Sequence, residues 1–512
     1  MGAIYNFFNK VFENVKKYPN KIAMKDKKRG YTYRELLGKA VFLMGELKSR
    51  GVSPGDRVGI IMENNADYVL CIVAILLNGG IFVPISCQYP SERIISIVKN
   101  CSPKVIITNS CYIDKVWGKI GDNAIEIMNI SGFPLIEKKI DMENLLISAY
   151  LVYIIYTSGT TGVPKGVAIK WVSLENYIFD TNIRLGFDEN AISLNMSSFS
   201  FDGALTGIFC MLTCGGTLVI AQSAIMRAKS FCDLIKEERI TDLGCTPVQL
   251  LYLAEALEND FTADFKLKTI AVGGEDFTAE NISRIYNCLP DVKILNRYGP
   301  TETTIVVSSY VIKRESISEN KPIPIGKPIL NTSFYAINEK GEKIKAGEVG
   351  ELYVGGIQVM EGYWQDSELT ERFIDKKLVL GERLYRTGDL VTIDDEGNYI
   401  FIDRIDDTIK LNGYRICLKE IDNVILKIQG VVGSYSIVVS MHKRKEIVSF
   451  VICRTGDELM NEYHIKKKIQ FFLPNYMLPQ RIIFLDKFPV TGNNKINKHE
   501  LGKLACRLQM EK

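Results

Sequence analysis

The stretch LVYIIYTSGTTGVPKG, residues 151–166, joins an apolar run to a loop rich in glycine and hydroxyl side chains. The run Leu151–Tyr156 is short, apolar and partly β-branched, which predicts a buried strand. The segment 156–166 holds three glycines, four Ser or Thr residues and one lysine. Close-lying backbone N–H groups, hydroxyl donors and a positive charge suit a bound oxyanion. The loop therefore predicts a phosphate site, with an ordinary Gly/Ser/Thr turn as the alternative.

This loop is not a Walker A sequence. In that motif the lysine is followed directly by Ser or Thr, whereas Lys165 follows Pro164 and precedes Gly166. The phosphate contacts must therefore be arranged in another way.

Outward from the loop, the chain alternates between two patterns. The runs Arg57–Met62 and Lys104–Thr108 predict buried strands, and Arg34–Arg50 and Ala66–Leu77 predict amphipathic or buried helices. Strands that alternate with helices are typical of a largely parallel α/β architecture. We therefore expect a large N-terminal α/β domain.

The pattern changes from about Gly326. Regularly spaced glycines separate short alternating runs, such as Gly350–Gly355 and Tyr399–Ile402, which predicts a β-rich subdomain.

A basic unit of about 105 residues follows Asp406, with predicted helices at Leu418–Ile428 and Tyr463–Phe472. We expect residues 1–405 to form the N-terminal domain and residues 406–512 a small, mobile α+β domain.

Charge is divided unevenly between these two parts. Residues 407–512 carry 18 Lys and Arg against 10 Asp and Glu, a net charge of +8, whereas the whole chain has only +3. Such a unit suits a polyanion or an acidic partner, and an ordinary lysine-rich surface is the alternative. The lysine-rich runs at 443–445 and 466–468 are short and lack an aromatic platform, so we expect no nucleic-acid partner.

The chain of 512 residues contains only three histidines, His442, His464 and His499. Residues 1–441 therefore cannot build a Ser-His-Asp triad, a Cys-His pair or a His-ligated zinc site. An enzyme with this sequence works without the usual neutral-pH base in its main domain.

Several features indicate a cytoplasmic protein without membrane insertion. No secretory signal opens the chain, and the longest apolar run, Tyr68–Leu77, is half the length needed to span a bilayer. The twelve cysteines form no CxxC pair and are expected to be reduced.

The phosphate loop closely resembles that of the adenylate-forming enzymes, and further motifs of that superfamily follow in its order. They are Asn296–Thr303 (adenine and magnesium), Tyr385–Asp389 (ribose), Arg404–Arg415 (hinge) and Pro489–Ile496 (terminal lysine). Within the superfamily, Gly362–Trp364 and Leu473–Pro479 resemble amino-acid adenylation domains of non-ribosomal peptide synthesis and D-alanine–carrier protein ligases.

The resemblance implies ATP and Mg²⁺ as cofactors. Glu302 would bind the metal, Lys495 would bridge the substrate carboxylate and the α-phosphate, and Thr161 would act with them in catalysis. The other implied nucleotide contacts are Thr157, Ser158, Gly159, Thr160, Gly162 and Lys165 for the phosphates, Asn296, Tyr298, Gly299 and Thr301 for the adenine, and Asp389, Arg404 and Lys410 for the ribose side.

Asp202 would pair with the α-amino group of an amino acid, with a helix N-cap as the alternative role. The implied pocket is lined by Asp202, Gly203, Thr206, Gly244, Ala271, Gly273, Arg297, Ile305 and Val306. Its small residues predict a roomy pocket for a bulky or polar amino acid. Arg297 would either pair with an acidic or polar side chain or bend into solvent.

The implied reaction has two steps. ATP and an amino acid give aminoacyl-AMP and pyrophosphate, the C-terminal domain then turns about Asp406, and a phosphopantetheine thiol takes the aminoacyl group. Asp403 stands where the family usually has glycine, so we expect the hinge backbone to differ locally.

Only 17 residues follow Lys495, so we expect the carrier protein to be a separate chain. The alternatives left open are a D-alanine–carrier protein ligase, an acyl- or aryl-CoA synthetase, and an inactive scaffold of the same fold.

Overall fold

The computed structural model describes residues 6–114, 125–131, 149–159, 163–221, 228–259, 265–275, 277, 279–317, 322–406, 408–441, 444–453, 461–489 and 496–510. The chain divides into two compact units. Unit 1 comprises Met1–Cys87, Asn100–Tyr156 and Gly166–Ile405, and unit 2 comprises Gln88–Lys99, Thr157–Lys165 and Asp406–Lys512.

Two large sheets form most of unit 1. The first has nine strands in the order β15-β14-β13-β12-β11-β9-β10-β1-β2, and the second has seven in the order β18-β8-β7-β4-β3-β5-β6. The strands of the first sheet are β1 (Ile22–Lys25), β2 (Gly30–Thr32), β9 (Ile192–Asn195), β10 (Thr217–Ile220), β11 (Asp242–Cys245), β12 (Thr269–Gly273), β13 (Lys293–Tyr298), β14 (Ser308–Ile312) and β15 (Lys327–Pro328). Those of the second sheet are β3 (Arg57–Ile61), β4 (Ile81–Pro84), β5 (Val105–Thr108), β6 (Glu126–Asn129), β7 (Leu151–Thr157), β8 (Lys165–Lys170) and β18 (Gly362–Tyr363).

The centres of both sheets are parallel, as the alternating pattern predicts. The neighbours β10-β9, β9-β11, β11-β12 and β12-β13 pair in parallel, and so do β4-β3, β3-β5 and β5-β6. Antiparallel pairs occur at the edges, where β2, β14, β15 and β18 lie. The predicted α/β class is confirmed.

A smaller antiparallel sheet forms the predicted β-rich subdomain. Its strand order is β16-β17-β20-β19, and β21 pairs with β20. The strands are β16 (Thr332–Ile337), β17 (Gly350–Gly356), β19 (Ile374–Asp375), β20 (Leu384–Ile393) and β21 (Tyr399–Arg404).

Some of the α-helices in the described part of the chain begin at a clear local signal. Thr32 and Glu35 form a capping box at the start of the second helix, and Asn65 caps the third by accepting from the N–H of Tyr68. The helices are α1 (Phe7–Lys17), α2 (Tyr33–Ser49), α3 (Ala66–Leu77), α4 (Ser91–Cys101), α5 (Trp171–Leu185), α6 (Leu205–Cys214), α7 (Ala228–Glu237), α8 (Pro247–Asn259), α9 (Ala279–Cys288), α10 (Ser367–Phe373), α11 (Leu418–Ile425), α12 (Glu462–Ile469) and α13 (Lys498–Met510).

The C-terminal part of unit 2 has an α+β core of its own. A hairpin, β22 (Thr408–Leu411) with β23 (Tyr414–Cys417), precedes a three-stranded sheet of β24 (Val431–Met441), β25 (Arg444–Cys453) and β26 (Arg481–Phe484). Apolar side chains of α11 and α12 pack with this sheet, among them Ile421, Ile447 and Ile465. Both helices are three residues shorter at their C-terminal ends than predicted.

Within the described ranges, no helix is both long enough and apolar enough to cross a bilayer.

Candidate active site

Three residues that are predicted to bind the nucleotide lie together in a buried cluster of unit 1. Tyr298 ends β13, and its hydroxyl donates to Oδ2 of Asp389 on β20. Arg404, which lies opposite Asp389 in the register of β21, donates from Nη1 to Oδ1. Asp389 is only 1% exposed, so both charges of this pair are largely removed from water.

Thr387 supports this cluster, although the sequence gives no separate sign of its role. Its hydroxyl donates to the carbonyl of Leu352 at 2.7 Å and accepts the N–H of Asp389 at 3.0 Å. Burial raises the pKa of Tyr298 well above its usual value, and the Asp389 charge adds to the shift. The tyrosine therefore stays a donor, and Asp389 has lone pairs left for other hydroxyl groups.

Asn296 lies on the same strand with its amide fixed by a loop. Nδ2 donates to the carbonyl of Pro324 at 2.8 Å, which leaves Oδ1 as the acceptor end. An acceptor matches the amino edge of adenine.

Gly299 is required by close packing. A Cβ there would lie 2.5 Å from the carbonyl oxygen of Ile305. Thr301 follows in a 3₁₀ turn, Thr301–Thr303.

Glu302 belongs to the same turn and is completely buried. Its carboxylate accepts the hydroxyl of Tyr363 at 2.9 Å, and its backbone carbonyl accepts the N–H of Met360 at 2.9 Å. Tyr363 is a site residue that the sequence reasoning missed, because 61 residues separate it from Glu302.

Two β-branched residues after this turn have left-handed backbone angles. The φ values are +61° at Thr304 and +68° at Ile305. Side chains of this type rarely adopt such angles, and the strain costs about 1–3 kcal/mol per residue. Hydrogen bonds between Thr304 and Gln358 stabilise the strained segment. The hydroxyl of Thr304 donates to the carbonyl of Gln358 at 2.8 Å, and the amide of Gln358 donates to the carbonyl of Thr304. Ile305 and Val306, both predicted pocket residues, are set in place by it.

The start of the phosphate loop belongs to unit 2, where it forms hydrogen bonds with residues of α11 and β23. Ser158 donates from Oγ to the carbonyl of Arg415 at 3.0 Å, and the N–H of Gly159 donates to Oε2 of Glu420 at 3.1 Å. Oε1 of Glu420 accepts from Arg93 at 2.7 Å. The loop amide thus already binds an anionic oxygen, which is the chemistry that phosphate binding requires.

Other predicted members of the phosphate site differ in how far they can be placed. Thr157 ends β7, and its buried hydroxyl has no hydrogen-bond partner among the residues that the structure describes. Lys165 begins β8. Thr160, Thr161 and Gly162 lie outside the described residues, as does Lys495.

The hinge motif begins in an extended strand, and further along it Asn412 and Gly413 have positive φ angles of +53° and +80°. Asp403 lies within β21 without a positive φ angle, and its carboxylate accepts the N–H of Arg404 at 2.8 Å. Asp406 accepts from both the N–H and the hydroxyl of Thr408 at 3.1 Å. Lys410 lies in β22 and is half-buried. Rotation about Asp406 stays a prediction.

Four predicted pocket residues share one face of the nine-stranded sheet. Gly244 on β11 lies opposite Ala271 on β12, and Gly273, two residues further along β12, lies opposite Arg297 on β13. Paired residues of parallel strands, and residues two apart on one strand, point to the same side. Three small residues therefore leave space beside the Arg297 side chain.

Asp202 opens the 3₁₀ turn Asp202–Ala204 that precedes α6. Its Oδ1 accepts the N–H of Gly203 at 2.8 Å. The residue at the N-cap of α6 is Ala204, so the alternative role of Asp202 as a helix cap is wrong. Thr206, in the first turn of α6, bonds through Oγ1 to the hydroxyl of Tyr177 at 2.7 Å.

Arg297 does not bend into solvent, which removes one of its two expected arrangements. It is 7% exposed, its Nη2 donates to Thr181 Oγ1 at 2.8 Å, and its guanidinium carbon lies 5.4 Å from the centre of the Tyr177 ring. Tyr177 and Thr181 lie on α5, one turn apart, and neither was predicted.

Comparison with known proteins identifies a matching family and curated relatives. The profile of the family described as AMP-binding enzyme matches residues 11–364. Tyrocidine synthase 3 of Brevibacillus parabrevis is 31% identical over 96% of this chain and 7% of its own length. Gramicidin S synthase 1 of Brevibacillus brevis is 32% identical over 96% of this chain and 43% of its own. The chain thus spans less than half the length of these relatives.

Solved structures match the whole fold. PA1221, described as a non-ribosomal peptide synthetase protein containing adenylation and PCP domains, superimposes with a TM-score of 0.84 at 23% identity, over 98% of this chain and 84% of its own. AB3403, a four-domain non-ribosomal peptide synthetase bound to AMP and glycine, is 28% identical with a TM-score of 0.69, over 97% of this chain and 36% of its own.

Proposed function

Because the chain belongs to the AMP-binding enzyme family, we propose that it activates an amino acid with ATP. The carboxylate would form aminoacyl-AMP with release of pyrophosphate, and the phosphopantetheine thiol of a carrier protein would then accept the aminoacyl group. The observation that carries this proposal is the buried Tyr298–Asp389–Arg404 cluster, which presents an ionised acceptor at the motif expected to bind ribose. The proposed location is the cytoplasm, where thiols stay reduced.

Each nucleotide group has a matching partner among these residues. Asp389 would accept the ribose hydroxyls, the Oδ1 end of Asn296 would accept the adenine amino group, and the ring of Tyr298 would stack on the base. The hydroxyls and amides of the phosphate loop would bind the β- and γ-phosphates, with Lys165 adding charge. Arg404 and Lys410 would steady the ribose side.

Glu302 fits one ligand position of Mg²⁺. Its carboxylate is buried and accepts the hydroxyl of Tyr363, and the two oxygens of a carboxylate offer about four lone-pair sites, so it can also bind a cation. Mg²⁺ usually takes one or two carboxylates together with phosphate and water. When bound there, the ion would offset negative charge on the phosphate oxygens.

The first step needs no general base. An amino-acid carboxyl with a pKa of about 3.3–3.7 is already ionised at neutral pH. Its oxygen attacks the α-phosphorus, and the bond to the bridging oxygen of pyrophosphate breaks. Lys495 would stabilise the charge that gathers on the α-phosphate. This chemistry is compatible with a main domain that lacks histidine up to residue 441.

In the second step, the thiolate attacks the carbonyl carbon of the mixed anhydride and AMP leaves. Asp202 would hold the α-ammonium group of the amino acid through both steps, because an opposite charge stabilises a carboxylate that is partly removed from water.

ATP–pyrophosphate exchange with a panel of amino acids tests the proposal. We expect exchange that depends on one or a few amino acids, and a loss of at least a hundredfold in Lys495→Ala with ATP binding largely retained, because the lysine acts on transition-state charge. Unchanged exchange in that variant would remove Lys495 from catalysis.

The same panel separates the alternatives. If D-alanine gives the highest exchange rate, the protein is a D-alanine–carrier protein ligase. If acyl or aryl acids give exchange whose rate is unchanged in Asp202→Ala, it is a CoA synthetase. Absence of exchange with every acid would favour an inactive scaffold.

A further inference from the structure

Arg297 is a buried cation with few partners. A guanidinium has five N–H donors, and among the described residues this one makes a single hydrogen bond, to Thr181. Its Nε is fully buried and meets no acceptor in the same part of the chain. No carboxylate of a described residue lies within ion-pair distance of it; Asp180, which precedes Thr181 on α5, accepts from Arg184 and from the N–H of Leu330. A buried charge without a counter-charge is unfavourable, so this arrangement suits an anion that arrives from outside.

The surroundings of Arg297 leave room for such an anion. Gly244, Ala271 and Gly273 share its face of the sheet. A Cβ placed on Gly244 or on Gly203 would meet no heavy atom within 4 Å. Both glycines are exposed, although Ala204, Leu243 and Cys245 beside them are buried.

A second buried polar group points to a ligand at the same place. The hydroxyl of Tyr153 on β7 is buried and has no hydrogen-bond partner in the described part of the chain. Burial, and next the charge of Asp202 and the neighbouring Tyr177, raise the pKa of Tyr153 well above its usual value. Tyr153 therefore stays protonated and able to donate.

The position of Arg297 is firmly set. The Tyr177 ring lies below the guanidinium, and the hydroxyl of Tyr177 is bonded to Thr206. Gly273 permits the close approach of β12 to β13, because a Cβ there would lie 2.6 Å from the Arg297 carbonyl oxygen. A fixed guanidinium loses little freedom when it binds a carboxylate through two donors.

We propose that Arg297 selects an amino acid with an acidic side chain, binding the side-chain carboxylate while Asp202 binds the α-ammonium group. The inference rests on the proposed amino-acid activation and adds the substrate class. A carboxylate would supply acceptors for the donors of Arg297 that have none. The neutral amide analogue of the same shape offers one acceptor and no counter-charge, so it binds less well.

The test is pyrophosphate exchange with all common amino acids, with the pairs Glu/Gln and Asp/Asn compared at equal concentration. We expect Glu or Asp to give the highest rate, at least tenfold above its amide. In Arg297→Met, that ratio should fall to one or below. In Arg297→Lys, part of the preference should remain, because the charge is kept and the forked donor geometry is lost.

Arg184→Ala is the matched control, since it removes an arginine from α5 that is already paired with Asp180. It should leave the Glu/Gln and Asp/Asn ratios unchanged. Calorimetric titration of the wild-type protein with glutamate and glutamine, without ATP, gives a readout that does not depend on turnover and does not require any variant to fold.

The outcomes are distinct. A neutral or basic amino acid as the preferred substrate, or an unchanged ratio in folded Arg297→Met, overturns the role of Arg297 and leaves the proposed function standing. Absence of exchange with every amino acid overturns the proposed function itself, and the substrate class with it.

Discussion

Asp389 is a buried carboxylate that already holds two donors, so its loss has two separate consequences. In Asp389→Asn, ATP affinity should fall about 10- to 100-fold, because hydrogen bonds to a charged group contribute about 1.5–3 kcal/mol. The free energy of unfolding should also drop, by about 3 kcal/mol, because Arg404 loses its counter-charge in a buried site. Calorimetric titration with ATP and urea unfolding measure the two effects independently.

Tyr298→Phe is the control for this variant. It keeps the ring and removes only the donor to Asp389. We expect a smaller loss of ATP affinity than in Asp389→Asn. Equal ATP affinity in wild type and folded Asp389→Asn would contradict the ribose role of this carboxylate.

At the scale of single residues, the motifs predicted the charged residues of the site but not the residues that form hydrogen bonds with them. Asp389, Arg404 and Glu302 stand in recognisable strings, so their positions could be predicted. Tyr363 and Thr387 stand inside the motifs Gly362–Trp364 and Tyr385–Asp389, but a motif does not show which partners their hydroxyls bind, because those contacts depend on the folded backbone. The left-handed φ of Ile305 is equally invisible, because β-branched residues favour other angles.

At the scale of elements, α4 and α11 of unit 2 are joined by the Arg93–Glu420 pair. The two side chains are 3% and 1% exposed, and Glu420 also accepts the N–H of Gly159. Removing either partner leaves a buried charge without compensation. Arg93→Leu and Glu420→Leu should each lower the free energy of unfolding by about 3–5 kcal/mol, measured by urea denaturation.

The double variant Arg93→Leu/Glu420→Leu is the decisive comparison for this pair. It leaves no isolated charge, so we expect it to be more stable than either single variant. Strictly additive losses of stability would show that the two side chains do not interact. Glu46→Ala serves as a control, because its pair with Arg50 at the C-terminal end of α2 is partly exposed and such a pair contributes at most about 1 kcal/mol.

Element bounds could be predicted where a local signal exists. The strand at residue 57 and the helix Ala66–Leu77 start where expected, and Asn65 supplies the cap. The helices α11 and α12 end earlier than their apolar pattern because the final residues form turns: the N–H of Phe472, for example, bonds to the carbonyl of Ile469. A period of 3.6 residues does not distinguish such a turn from a further turn of helix.

At the scale of the whole molecule, the order of the motifs predicts the fold class, while the shape of the pocket depends on strand register. Gly244, Ala271 and Arg297 are far apart in sequence and share a face only because β11, β12 and β13 pair as they do. Tyr177 and Thr181 come to Arg297 from a helix more than a hundred residues earlier. The resemblance supplied the list of lining residues, and only the folded sheet shows that the arginine is buried.

Thiol reactivity tests the packing of the whole molecule. Cys111 and Cys506 are exposed, whereas seven of the twelve cysteines are buried. Burial raises the pKa of Cys101 and Cys245 to about 12, which leaves little reactive thiolate at pH 8. Ellman's reagent at pH 8 should therefore modify about two thiols rapidly in the native protein and all twelve in guanidinium chloride, since no disulfide joins them. Rapid modification of most thiols in the native state would contradict the packing of both units, and fewer than twelve after unfolding would reveal a disulfide.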